Sequence, residues 1–116
     1  MRSRSPADDE GSVAAEFAVA LPAVALALAA CVGAVGVGSQ QVRLQDAAAD
    51  AARSLGRGDS TSAAQELAAR GAPGASLAAW RSGELVCARL TADARGPVAV
   101  AGLLLTAESC ALDGGR

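Results

Sequence analysis

Gly11-Ser12-Val13-Ala14-Ala15-Glu16-Phe17-Ala18-Val19-Ala20-Leu21-Pro22 opens an apolar run that continues to Gly38 with no charged residue after Glu16. The hydrocarbon core of a bilayer takes about 20 apolar helical residues, so residues 17–38 are long enough to span one. Glu16 stands at the mouth of this run. An ionised side chain at mid-membrane costs at least about 2.5 kcal/mol on insertion scales, and less near the interface. An acid in this place is either the last polar residue before the membrane or a group that awaits a cationic partner.

Upstream, residues 1–11 hold Arg2 and Arg4 against Asp8, Asp9 and Glu10, and Pro6 discourages regular structure. A secretory n-region is net positive, and this one is not. A short hydrophilic leader ending in Gly11, then Glu16 as the fifth residue beyond it and Phe17 next, resembles the processing site of type IV-like prepilins. The continuation Glu16-Phe17-Ala18-Val19-Ala20-Leu21-Pro22 looks most like the TadE-like minor pilins of tight-adherence (Tad, Flp) pilus systems. The resemblance covers roughly the first half of the chain, to about Leu55.

That resemblance implies cleavage between Gly11 and Ser12 by a prepilin peptidase. It also implies an assembly role for Glu16, Phe17 and Pro22, with other pilin subunits, the Tad secretion machinery and the lipid bilayer as partners. A freed α-amine at Ser12 ordinarily titrates near ~8 and is cationic below that, which would supply the partner Glu16 lacks. The arginines do not orient the segment, because Arg2 and Arg4 precede it while Arg43, Arg53 and Arg57 follow it. The family pattern implies a cytoplasmic N-terminus and an extracytoplasmic C-terminal region in a single-pass bacterial membrane protein, in or at the base of a pilus.

Downstream, Pro22 removes the amide that would bond the Ala18 carbonyl, which predicts a bend. Gly33, Gly36 and Gly38 leave a smooth surface on which another helix can approach. Leu44, Ala48, Ala51, Ala52 and Leu55 then recur at helical spacing. This narrow stripe suits close packing of thin helices better than a bulky core. One nearly continuous helix over residues 13–55 is expected, ended by residues 56–59 with Gly58 in the turn. Arg57-Gly58-Asp59 spells an adhesion tripeptide, a match short enough to arise by chance.

Ser62-Ala63-Ala64-Gln65 has the form of a capping box for a short helix reaching about Arg70. Residues 75–81 and 84–92, separated by Ser82-Gly83, read as a hairpin. Val86, Ala88, Leu90 and Ala92 fall on one face of it, and Leu85, Cys87, Arg89 and Thr91 on the other. Residues 103–112 are a third strand, after an irregular piece containing Gly96-Pro97. The fold class is therefore α+β: a long N-terminal hydrophobic, pilin-like helix, a short helix, and a small antiparallel sheet of about three strands. The expected layout is a leader at 1–11, a transmembrane helix at 12–38, its amphipathic continuation at 39–56, and a small extracytoplasmic α/β subdomain at 57–116.

Composition narrows the function. The chain has 116 residues and a net charge of -2, with ten basic residues, all Arg. Neither nucleic acid nor an acidic substrate is implied. There is no His, which removes His-dependent dyads and triads and the usual zinc sites. Asp46, Asp50, Glu66, Glu84 and Glu108 are scattered without the spacing of an acid and base pair. An enzyme is not expected, nor a cofactor, a metal or a small-molecule substrate.

The part beyond Gly56, about sixty residues, is of a size that commonly needs a staple or a partner. Cys87 and Cys110 lie in two different predicted strands and would be oxidised to a disulfide in an extracytoplasmic domain, the alternative being two buried thiols. Cys31 ends Leu28-Ala29-Ala30-Cys31, which fits a bacterial lipobox. That leaves as alternatives a small lipoprotein anchored at Cys31 with a binding role, or an unprocessed single-pass membrane protein. The apolar run continues past Cys31 to Gly38, whereas a lipoprotein turns polar soon after its cysteine.

Overall fold

Alanine, leucine and valine dominate residues 13–55, and few residues there oppose a helix. The computed structural model, which describes residues 6–114, accordingly forms a single long helix α1, Pro6–Gly56. It starts earlier than the expected residue 13. Proline at the first helical position has no amide bond to lose there and its φ is already helical, so Pro6 opens the helix rather than excluding it. Pro22 lies inside α1, which continues on both sides of it. The chain divides into two units, Met1–Ala34 and Val35–Arg116.

In the second unit α1 ends at Gly56 because the chain must turn under the last strand. A Cβ at Gly56 would stand 2.8 Å from the Leu112 carbonyl oxygen, a contact that only glycine avoids. The amide of Gly114 donates back to the Gly56 carbonyl at 2.9 Å. The adhesion-like tripeptide is part of this helix end. Ser54, buried, donates its hydroxyl to the Asp59 carboxylate at 2.8 Å, and Arg57 donates to the same carboxylate at 3.3 Å. Asp59 thus closes the helix terminus.

Helix α2, Thr61–Gly71, is capped by Ser60, whose hydroxyl oxygen accepts from the Ala63 amide at 3.1 Å. The expected box at Ser62 is displaced by two residues. Gln65 is not used at the helix start. It reaches the sheet instead, donating to the Ala75 carbonyl at 3.0 Å and accepting from the Leu77 amide at 2.9 Å.

Three strands follow, β1 (Ser76–Ser82), β2 (Leu85–Asp93) and β3 (Leu104–Leu112), in an antiparallel meander of order β1-β2-β3. Ser82 pairs with Leu85, so the hairpin loop is Gly83-Glu84, one residue beyond the expected Ser82-Gly83. Gly83 has φ +62°, at the first central position where a two-residue hairpin loop asks for glycine. A 3-10 turn, Pro97–Ala101, joins β2 to β3.

The core of this unit is built almost wholly of alanine. Leu44, Ala47, Ala48, Ala51 and Ala52 of α1 meet Ala64 and Ala68 of α2 and, from the sheet, Ala88, Leu90, Ala92 and Ala107. The stripe on α1 is the one legible in the sequence, but it packs on a sheet and a short helix of the same chain rather than on other thin helices. Small side chains let the helix lie close to the sheet, so few atoms are needed to fill the space between them.

Candidate functional site

Among the described residues, the first unit leaves its apolar side chains uncovered. From Glu10 to Ala34 every residue is exposed except Gly33. Phe17 is 62% exposed and Leu26 is 73% exposed. Burying one such side chain is worth about 1.5–3 kcal/mol, so this surface belongs in lipid or against other apolar helices. The helix is long and apolar enough to cross a membrane.

Gly11 and Ser12 both lie in α1, exposed, with open space around the position a Gly11 Cβ would take. Ser12 and Glu16 are one turn apart and so share a helix face. Glu16, Phe17, Ala20, Leu21 and Val24 line a shallow concavity of about 300 Å³ on the helix surface. Among the described residues none forms an ion pair with Glu16. The expected residues Gly11, Ser12, Glu16, Phe17 and Pro22 therefore sit on one exposed helical segment. Cys31 is an exposed free thiol on the same helix.

The second unit is held differently. Cys87 and Cys110 face each other in the β2–β3 register and are joined by a disulfide. It lies on the sheet face opposite the alanine core, with Trp80 beside Cys87 across β1 and β2. Arg89 stacks over the Trp80 ring at 5.0 Å from its centroid and also pairs with Glu108. Arg81 pairs with Asp113. The scattered acids Asp50 and Glu108 are thus partners of surface arginines, Asp50 with Arg53 at 3.0 Å. Among the described residues no group of His, Cys, Asp or Glu is placed to hold a metal ion.

Four glutamines were not legible as structural groups. Gln41 and Gln45 donate to the carbonyls of Thr106 and Glu108 at 2.9 and 2.8 Å, along the outer edge of β3. The fit is geometric. Four helical residues rise about 6.0 Å, two strand residues about 6.7 Å, so side chains at i and i+4 meet carbonyls at j and j+2. Gln40 bridges the end of β2, donating to the Asp93 carbonyl at 2.8 Å and accepting from the Arg95 amide at 2.9 Å. Gln65 makes the equivalent bridge on β1. The available signal was three glutamines clustered immediately after the apolar run, with no catalytic context to claim them.

Residues 11–53 match the family model for TadE-like proteins. Over that stretch the chain is TadE-like, consistent with a pilin-related protein, and the match includes Gly11, Glu16, Phe17 and Pro22. No curated protein and no solved structure matches the chain.

Proposed function

We propose that this chain is a minor pilin or pseudopilin subunit of a Tad/Flp-type pilus, a structural part rather than a catalyst. The observation that carries the reading is Glu16, exposed and without an ion-pair partner among the described residues, on an apolar helical surface inside the TadE-like stretch. The pilus-related family and the apolar helix together point to a membrane-associated protein.

In this proposal a prepilin peptidase removes residues 1–11, leaving Ser12 with a charged amine. Glu16 pairs with that amine on a neighbouring subunit. Low dielectric strengthens the attraction and equally penalises an unpaired carboxylate, so the pair favours assembly over solitary insertion. Phe17 and the small residues after it supply the apolar contact, and Pro22 leaves the Ala18 carbonyl for a neighbour to cover. The remainder lies outside the membrane, where its disulfide forms, and contacts other pilins and the secretion machinery.

The test is the mass and N-terminal sequence of the membrane-bound protein from its native host, under non-reducing conditions. A chain beginning at Ser12 is expected. A lipid on Cys31, or an intact residue 1, would overturn the processing. Glu16→Ala is expected to insert into the membrane normally and to be lost from assembled pili, and its normal incorporation would remove the pairing role.

A further inference from the structure

The connection between β2 and β3 is unlike the other loops. Residues 96–107 hold no charged side chain. Within them Val100 is 95% exposed, Leu104 62% and Leu103 46%, and the 3-10 turn Pro97–Ala101 buries none of its residues. Loops are ordinarily polar because they face water, and an exposed apolar patch marks a surface that something covers.

The loop's position in the second unit indicates what covers it. Gln40 grips both residues that lead into it, through the Asp93 carbonyl and the Arg95 amide, and Gln41 holds Thr106, the third residue of β3. Gln40 is two residues past Gly38, the last residue of the apolar run. The loop therefore lies at the end of this unit where residues 35–38, the last of the apolar run, enter it. The opposite end of the sheet, at Ser82 and Leu85, carries the polar loop Gly83-Glu84.

Two arginines flank the same end. Arg43 and Arg95 line a cleft of about 330 Å³ together with Ser39, Leu44 and Ala92. Arg95 also donates to the Pro73 carbonyl, which holds its guanidinium over the cleft. Asp93, the acid nearest the loop, offsets part of this positive charge. Apolar side chains at the tip with arginines behind them match the layering of a membrane interface, acyl chains first and phosphates next.

We infer that the Pro97–Ala101 turn and the leucines after it form a second membrane contact, seated in the interface of a bilayer containing anionic phospholipid, with Arg43 and Arg95 at the level of the phosphates. The contact rests on the apolar run lying in a bilayer and is independent of pilus assembly.

The test places an environment-sensitive nitrobenzoxadiazole probe on single cysteines in the full chain, with Cys31→Ser as background and the native disulfide kept. The positions are Val100→Cys, Val24→Cys and Ser82→Cys, all exposed, in vesicles of phosphatidylcholine and phosphatidylglycerol. The probe at 100 is expected to share with that at 24 a blue-shifted emission, quenching by doxyl-labelled lipid and loss of quenching by aqueous iodide. The probe at 82 is expected to be quenched by iodide. Should 100 behave like 82 while 24 remains lipid-embedded, the interfacial contact is wrong and the membrane helix stands. Iodide protection at 100 without lipid quenching would mean that a second protein copy covers the loop, which also overturns it. Iodide quenching at 24 would remove the membrane placement on which both rest.

Discussion

Residues 10–34 and 35–56 belong to one helix and draw on the same small apolar vocabulary, yet they are opposite in what they bury. Ala47, Ala48, Ala51 and Ala52 are at most 3% exposed. Ala18, Ala20 and Ala27 are exposed. Helix formation is common to both, so propensity does not distinguish them; the presence of a partner within the chain does. The later stretch meets a sheet and a second helix supplied by the same sequence. The earlier one has a continuous apolar surface whose covering must come from outside, from lipid or from other helices. The later stretch completes its hydrophobic burial within the chain, and the earlier one presents the same kind of surface without doing so among the described residues.

Paired leucine truncations test this most directly. Leu90 is fully buried against the alanine core, and Leu90→Ala is expected to cost about 2–5 kcal/mol. In a unit this small each kcal/mol lowers the melting temperature by about 4–8 °C. Leu26→Ala, on the exposed surface, is expected to leave the melting of the second unit unchanged in detergent, as followed by Trp80 fluorescence. Equal losses would show that the two stretches do not bury independently.

The disulfide is the next lever. Cys87 and Cys110 are 23 residues apart in sequence, and closing a loop of that size stabilises the folded state by about 3 kcal/mol on the chain-entropy estimate. Replacing both cysteines with alanine is expected to lower the melting temperature of the second unit and leave the helicity of the first intact, measured by circular dichroism before and after melting. A core of alanines releases little transfer energy per residue, which is why a staple matters here.

Much of this was legible in the sequence because the governing signals are local. The apolar run, the acid at its mouth, the stripe from Leu44 to Leu55 and the period-two pattern of Val86, Ala88, Leu90 and Ala92 each follow from one element's own residues. What was not legible depends on two elements at once. Gln65 has the form of a capping residue until β1 is beside it, and only then is its amide a bridge between Ala75 and Leu77. Pro6 reads as a breaker in isolation and as a helix opener in place. For the candidate site, Glu16, Phe17 and Pro22 on an exposed helix follow from the pattern, whereas Gly11 and Ser12 were expected ahead of the helix and lie within it.

Two glycines of α1, one at its end and one near its start, sharpen the contrast at a smaller scale. Gly56→Ala drives a Cβ into the Leu112 carbonyl, and relieving that overlap is expected to cost about 1–3 kcal/mol. Gly11→Ala meets open space and replaces the poorer helix former by the better one. It is expected to leave thermal stability undiminished while blocking appearance of a chain that begins at Ser12, read by mass spectrometry. Loss of stability from both would mean that Gly11 has an internal packing role that its open surroundings do not provide.

The smallest expected effect concerns the edge of the sheet. Gln41→Ala with Gln45→Ala frees the carbonyls of Thr106 and Glu108 on β3. Because this edge is exposed, water can replace both amides, so each bond should cost only about 0.5–1.5 kcal/mol. The larger consequence is expected in association, since an uncovered edge strand offers its row of polar groups to another chain. Sedimentation velocity in detergent should detect higher oligomers in the double variant at concentrations where the parent shows none. If both stability and sedimentation are unchanged, the later stretch of α1 serves the sheet through its alanines alone. If association alone rises, the glutamines act chiefly to keep this edge closed against other chains.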